Sequence, residues 1–267
     1  MNIQTPQTCI RFTDLTVGYN SHAAVHHLSG QVGCGTLMAI VGPNGSGKST
    51  LIKTIVGLLP AMSGSCRITP GTSVGYLPQL SELDRSFPAR VVDLVSMGLW
   101  QKRGLLGRHR ACDRKAVRDA LEAVGLGGFG DRSIDSLSGG QLQRALFARV
   151  LVQDADLILL DEPFNAVDEK TIRDLIVLIR RWHEEGRTVI VVAHDMDLVR
   201  AHFPQTLLLA RRPIAWGDTR TVVTPENLRR ARQFQEPWDD SAPWCDPEEH
   251  AGHSHAAHAH VLGQGAA

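Results

Sequence analysis

The chain lacks any apolar run long enough to cross a bilayer as a helix: none approaches about 18 residues. It also lacks net charge. Its 28 Lys and Arg are balanced by 28 Asp and Glu, so no global attraction to nucleic acid or to a membrane surface is expected. Any membrane role would have to come through a partner. Cysteine is sparse. Cys9, Cys34, Cys66, Cys112 and Cys245 are scattered without a CxxC pair, which argues against a disulfide framework and fits a reducing, cytosolic compartment. The first residues, Met1-Asn2-Ile3-Gln4-Thr5-Pro6, have no basic start followed by an apolar stretch, so no secretory leader is expected. What is present is ordinary for a globular chain: 267 residues, 43% hydrophobic and 21% charged, enough for one core domain with an embellishment or for two small domains. Positive charge does cluster at Lys102, Arg103, Arg108, Arg110, Arg114, Lys115 and Arg118. That cluster is either a solvated helix face or a surface turned to an anionic partner.

The stretch that organises the rest is Gly42-Pro43-Asn44-Gly45-Ser46-Gly47-Lys48-Ser49-Thr50. An apolar strand-like segment, Leu37–Val41, precedes it, and a helix-like run, Leu51–Leu59, comes after it. Strand, glycine loop and helix in that order make a phosphate-binding loop. Glycines let the backbone curl and aim its N–H groups at an anion, and the new helix adds the positive end of its dipole. Lys48 then reaches the β- and γ-phosphates of a nucleoside triphosphate, and the Ser49 hydroxyl sits on Mg²⁺.

Upstream, residues 9–17 alternate as a strand does, and Gly18, Asn20 and Ser21 mark a turn. Tyr19, in that turn, either stacks on a nucleotide base or is a surface aromatic of a hairpin. A second β segment is expected near Ala24–Leu28. Short strands are expected at Ser65–Ile68 and Ser73–Leu77, the latter leading into Pro78-Gln79. Gln79 is a polar residue at a strand end, where α/β sheets read ligands, or else a plain loop residue.

Residues 81–136 change character. Phe87–Gly98 and Asp113–Val124 carry apolar residues at helical spacing, so an all-helical insertion into an α/β domain is expected. Leu137-Ser138-Gly139-Gly140-Gln141 then opens a helix expected from Leu142 to about Val152, again offering N–H groups to an anion. Leu157–Leu160 is apolar on both faces, as a central parallel strand is, and it ends in Asp161-Glu162. Asp161 can hold Mg²⁺, and Glu162 can orient or deprotonate an attacking water. The next helix is capped by Asp168 and has an apolar stripe read as core. A buried strand, Thr188–Ala193, ends at His194. That histidine is either structural or a donor to a γ-phosphate.

Beyond Thr224, Pro225, Pro237, Pro243 and Pro247 interrupt the chain. His250, His253, His255, His258 and His260 then alternate with small residues. That tract cannot build a packed core. It binds Zn²⁺ or a similar metal, or is a solvated tail, or a cloning tag.

In this order, these motifs resemble those of the ATP-binding cassette (ABC) ATPases, over about Ile10 to Val223. Tyr19 matches the adenine-stacking residue, Gly42–Thr50 the Walker A loop, Gln79 the Q-loop glutamine, Leu137–Gln141 the signature, Leu157–Glu162 the Walker B strand and His194 the switch histidine. The resemblance implies an α/β P-loop NTPase core, with a mixed sheet, an antiparallel β subdomain and an inserted α-helical subdomain. The ATPase domain would span 8–224, with the helical insertion at about 80–150, and 225–267 would be an extension ending in the histidine tail at 250–260. It implies ATP and Mg²⁺ as ligands, with Ser49, Gln79 and Asp161 on the metal and Glu162, His194 and Gln79 in catalysis. It also implies a head-to-tail homodimer in which Ser138, Gly139, Gly140 and Gln141 complete the site of the other copy, and a membrane permease docked on the helical insertion. The turn after Walker B commonly reads Ser-Ala-Leu-Asp in this family; here it is Asn165-Ala166-Val167-Asp168.

Tyr76-Leu77-Pro78-Gln79 and Phe87-Pro88 leading to Val92–Gly98 are similar to the ATPases of zinc and manganese uptake transporters, and the pattern is shared with iron-chelate importers. The histidine tail tilts the expectation to zinc, with manganese or an iron chelate as alternatives and a soluble, non-transport ATPase as another. The resemblance places the chain at the cytoplasmic face of the membrane, held there by the permease, with an extracytoplasmic metal-binding protein as an indirect partner and no nucleic acid.

Overall fold

The computed structural model describes residues 7–20, 22–82, 84, 87–104, 110–165 and 167–233. The chain runs β1 (Thr8–Tyr19), β2 (His22–Gly33), β3 (Leu37–Val41), α1 (Lys48–Val56), β4 (Ser63–Ile68), β5 (Val74–Leu77), α2 (Val91–Ser96), α3 (Trp100–Arg103), α4 (Ala111–Ala123), α5 (Gly139–Gln153), β6 (Leu157–Asp161), α6 (Glu169–Glu184), β7 (Thr188–Val192), α7 (Met196–His202), β8 (Gln205–Ala210), β9 (Arg212–Asp218), α8 (Thr219–Val222) and α9 (Pro225–Gln233). Among the described residues no helix is long and apolar enough to cross a membrane.

Two sheets organise these elements. The larger has the order β5-β6-β7-β3-β8-β9, parallel except for the β8–β9 pair. The smaller, β2-β1-β4, is antiparallel. This is the mixed α/β architecture expected from the motifs. β3, β6 and β7 are buried along their whole length. Their alternate side chains divide between two cores. Leu37, Ala39, Val41, Ile158, Leu160, Val189 and Val191 pack on the side of the helical insertion and α6. Met38, Ile40, Leu157, Leu159, Ile190 and Val192 pack on the side of α1 and the small sheet. A period of two with both faces covered explains why these strands are apolar without interruption. α6 offers one stripe, Leu175, Ile176, Ile179 and Trp182. Trp182 stacks on Phe147 of α5, the ring centroids 5.9 Å apart, which ties the two helices.

Several boundaries differ from the sequence expectation, each for a local reason. The helix expected over Phe87–Gly98 is shorter. Pro88 disfavours a helical residue before it, Arg90 bridges to Ser133, and the helix begins only at Val91. Asp93 accepts the Arg90 backbone N–H at 3.2 Å. α5 begins at Gly139 rather than Leu142 because Ser138 caps it. The Gln141 N–H donates to Ser138 Oγ at 3.2 Å and the Ser138 N–H donates to Gln141 Oε1 at 3.0 Å. β9 has no counterpart in the sequence expectation. Pro213 and Gly217 weaken a strand signal, and a proline is admissible because β9 is the sheet edge. The chain divides after Gln235, beyond the 224/225 boundary suggested by composition. Pro225 starts α9 rather than ending the domain, as proline does at a first helical position, and Ala231 of that helix is buried in the core. The histidine tail lies outside the described residues.

Candidate active site

The strand order lines up the site. β5, β6, β7 and β3 are neighbours, and just beyond their C-terminal ends lie Gln79, Glu162, His194 and the glycine loop, respectively. Leu77 pairs with Leu160, and Asp161 pairs with Val192. Residues far apart in sequence are thereby delivered to one edge of the sheet, where parallel α/β sheets hold ligands.

The loop is closely fitted. A Cβ on Gly42 would lie 1.9 Å from the Leu209 carbonyl oxygen, and one on Gly47 would lie 2.5 Å from the Ala24 carbonyl. Both have positive φ, 153° and 92°, so no other residue serves there. Gly47 caps the N-terminus of α1 without a side-chain bond, which leaves the helix's first N–H groups directed at the loop's hollow. Lys48 is buried, and its Nζ donates to the carbonyls of Gly42 at 3.0 Å and Pro43 at 2.8 Å. Burial pushes its ammonium below the usual lysine range, against the pull of Glu162 and Asp161.

The Ser49 hydroxyl donates to Asp161 Oδ1 at 3.1 Å. Asp161 is fully buried, and burial raises its carboxyl to about 6, with the Ser49 bond opposing and the Glu162 charge adding to the rise. Among the described residues its Oδ2 and the Ser46 Oγ are buried without a hydrogen-bond partner. An orphaned carboxylate oxygen and an orphaned hydroxyl in a phosphate loop fit a divalent cation and a phosphate as the missing partners.

Glu162 has φ 52°, a left-handed conformation that a non-glycine residue adopts only when its surroundings impose it. Its carboxylate gathers three polar side chains. Gln79 Nε2 donates to Oε2 at 2.6 Å. Asn165 Nδ2 also donates to Oε2. His194 Nε2 bonds Oε1. Gln79, Glu162 and His194, which the sequence marks as a catalytic set, are therefore together.

Tyr19, at the end of β1, is 49% exposed, so its ring is open to a stacking partner. Ser138 caps α5, Gly139, Gly140 and Gln141 open its first turn, and a Cβ on Gly140 would lie 3.7 Å from Asp168 Oδ2 and from Thr171 Oγ1. The signature thus adjoins the start of α6. Among the described residues no three His, Cys, Asp or Glu side chains form a metal-binding group. The expected zinc ligands His250, His253, His255, His258 and His260 lie outside those residues.

Three contributors are not evident in the sequence. The Arg211 N–H donates to the Ser46 carbonyl at 3.1 Å, which braces the loop from the end of β8. Lys53 pairs with Glu82 at 2.6 Å, tying α1 to the segment after Gln79. Asn165 bonds the Glu162 carboxylate. The only sequence signal for Asn165 is its departure from the usual family residue.

The chain is similar to several known proteins. The family described as ABC transporter matches residues 25–165. The manganese transport system ATP-binding protein MntB of Bacillus subtilis is 42% identical over 227 residues, 83% of this chain and 91% of that protein. The zinc transport system ATP-binding protein TroB of Treponema pallidum is 41% identical over 228 residues, 83% of this chain and 86% of that protein. Among solved structures, a metal-chelate type ABC transporter in an inward-facing conformation superposes with TM-score 0.76 at 29% identity, covering 85% of this chain and 90% of that one. A dimeric bacterial ABC transporter cassette gives TM-score 0.70 at 26% identity, covering 79% and 98%. The chain therefore belongs to the ABC transporter family, as one of its ATP-hydrolysing, ATP-binding subunits.

Proposed function

We propose that this subunit powers uptake of a divalent metal ion through a separate permease, and that the ion is zinc. The convergence of Gln79 and His194 on Glu162 beside the phosphate loop supports the ATPase half of the reading. The names of the relatives support the metal half, since they include both zinc and manganese systems. The histidines of residues 250–260 favour zinc between the two. Manganese is the second reading, favoured by the name of the Bacillus relative.

In this reading Tyr19 stacks on adenine and Gly42–Thr50 wrap the phosphates. Lys48 exchanges the carbonyls of Gly42 and Pro43 for phosphate oxygens. Ser49, Asp161 and Gln79 would hold Mg²⁺, which neutralises charge on the phosphates. Glu162 accepts the proton of the attacking water and His194 holds its carboxylate in place. Ser138, Gly139, Gly140 and Gln141 face the nucleotide held by a second copy, so hydrolysis requires a head-to-tail dimer and can gate a movement. The helical insertion docks the permease at the cytoplasmic face of the membrane. An extracytoplasmic metal-binding protein acts through that permease.

The test is uptake of radioactive zinc and manganese in cells deleted for this subunit. Zinc uptake is lost and returns with the wild-type chain but not with Glu162→Gln. Loss confined to manganese moves the assignment to that metal, and loss of neither overturns the proposal.

A further inference from the structure

We infer that Asn165 is a positioning residue for Glu162 that leaves Oε1 as the only oxygen of that carboxylate free to act as a base. The inference rests on the reading of Glu162 as the base of ATP hydrolysis.

The local fold places Asn165 there. Glu162-Pro163-Phe164-Asn165 is a tight turn closed by the Asn165 N–H donating to the Glu162 carbonyl at 3.2 Å. Pro163 at the second position presets the backbone for such a turn. The turn folds the Asn165 side chain back over the residue three before it, and its Nδ2 donates to Glu162 Oε2. The assignment of the amide comes from chemistry: an ionised carboxylate only accepts, so the NH₂ end faces it.

The lone pairs can be counted. Each carboxylate oxygen accepts about two hydrogen bonds. Oε2 takes Gln79 at 2.6 Å and Asn165, so it is filled. Oε1 takes His194, so among the described residues one position remains, and it is on Oε1. A water that loses its proton to Glu162 must approach that oxygen. Gln79 sits outside the turn, on the segment after β5, and is also a proposed metal ligand. A cation on its amide oxygen would also shift the Nε2 that donates to Glu162. Asn165 is fixed by the same turn that sets Glu162, and among the described residues its side chain bonds only this carboxylate. It is the steadier of the two donors on Oε2.

The experiment is steady-state hydrolysis by the full-length chain carrying Asn165→Ala or Asn165→Asp, with ATP affinity and the thermal unfolding midpoint measured on the same preparations. Asn165→Ala removes the donor. Asn165→Asp keeps the shape and replaces the donor with an acceptor. Both lower kcat by about tenfold or more, with Asp the worse, while KM and ATP affinity stay within about twofold. The unfolding midpoint is unchanged for Ala. A second cycle pairs Asn165→Ala with Gln79→Ala. Two donors on one oxygen predict a combined loss that differs from the product of the single losses. A kcat within about twofold of wild type in both variants overturns the inference. So does a kcat loss matched by an equal loss of ATP affinity, which marks a structural role. Glu162→Gln is run alongside: normal turnover there overturns the base reading itself, whereas dead Glu162→Gln with unaffected Asn165 variants overturns only the role of Asn165.

Discussion

Ser49 and Asp161, 112 residues apart, share a hydrogen bond of 3.1 Å, and the second oxygen of Asp161 is buried with no partner among the described residues. The pair joins the phosphate loop to β6 and leaves one acceptor available to a cation entering the loop.

That arrangement predicts a pH-dependent metal site. Burial raises the Asp161 carboxyl from 3.8 to about 6. A raised folded value means that this group favours the metal-free fold fully below about pH 4, and that this contribution is lost as pH rises through about 6. In the proposed site Mg²⁺ needs the carboxylate, so its binding has the opposite trend. Apparent Mg²⁺ affinity of the nucleotide-bound protein falls as pH is lowered from 7 to 5. Titration calorimetry over that range checks it, with Asp161→Asn giving the part that belongs to ATP alone.

Glu162→Gln keeps the shape of the side chain and removes the proposed base. ATP is then bound but not turned over, so a dimer accumulates with ATP and turnover falls by about 10²-fold or more. Gel filtration with ATP and a phosphate-release assay measure the two effects, and normal turnover would remove Glu162 from its role.

The glycines of the loop are not equivalent. Gly42→Ala drives a Cβ to 1.9 Å from the Leu209 carbonyl, whereas Gly45, with φ 75°, has open space around its Cβ. Gly42→Ala abolishes measurable ATP binding and lowers stability by about 2 kcal/mol or more. Gly45→Ala incurs only the left-handed backbone strain of about 1 kcal/mol and remains folded. Thermal denaturation and nucleotide binding of the two variants separate clash from strain.

Deleting residues 250–267 removes the five tail histidines. Basal ATPase activity is unchanged and zinc retained after gel filtration falls, as read by elemental analysis. Zinc retention equal to that of the full chain would return the tail to a solvated segment.

Much of the site was legible because its parts are local. A strand, a glycine loop and a helix are neighbours in sequence, and backbone geometry over nine residues defines the anion cradle. Ser138 and Gln141 cap one helix from three residues apart. The apolar run Leu157–Leu160 announced a strand covered on both faces, and the strand it forms is buried along its whole length. β9 and α9 were not legible, because an edge strand with a proline and a helix that begins on one both look like loop until the sheet edge and the core around Ala231 exist.

The sequence alone determined which residues could bind phosphate, hold a cation and take a proton, since these are properties of residue type and close spacing. It did not determine their meeting. Gln79 is 83 residues and His194 32 residues from Glu162, and they converge because β5, β6 and β7 are adjacent in the sheet. Strand order is fixed by burial of whole faces across the domain, so only the tertiary structure could decide that these side chains, with Asn165 beside them, hold one carboxylate.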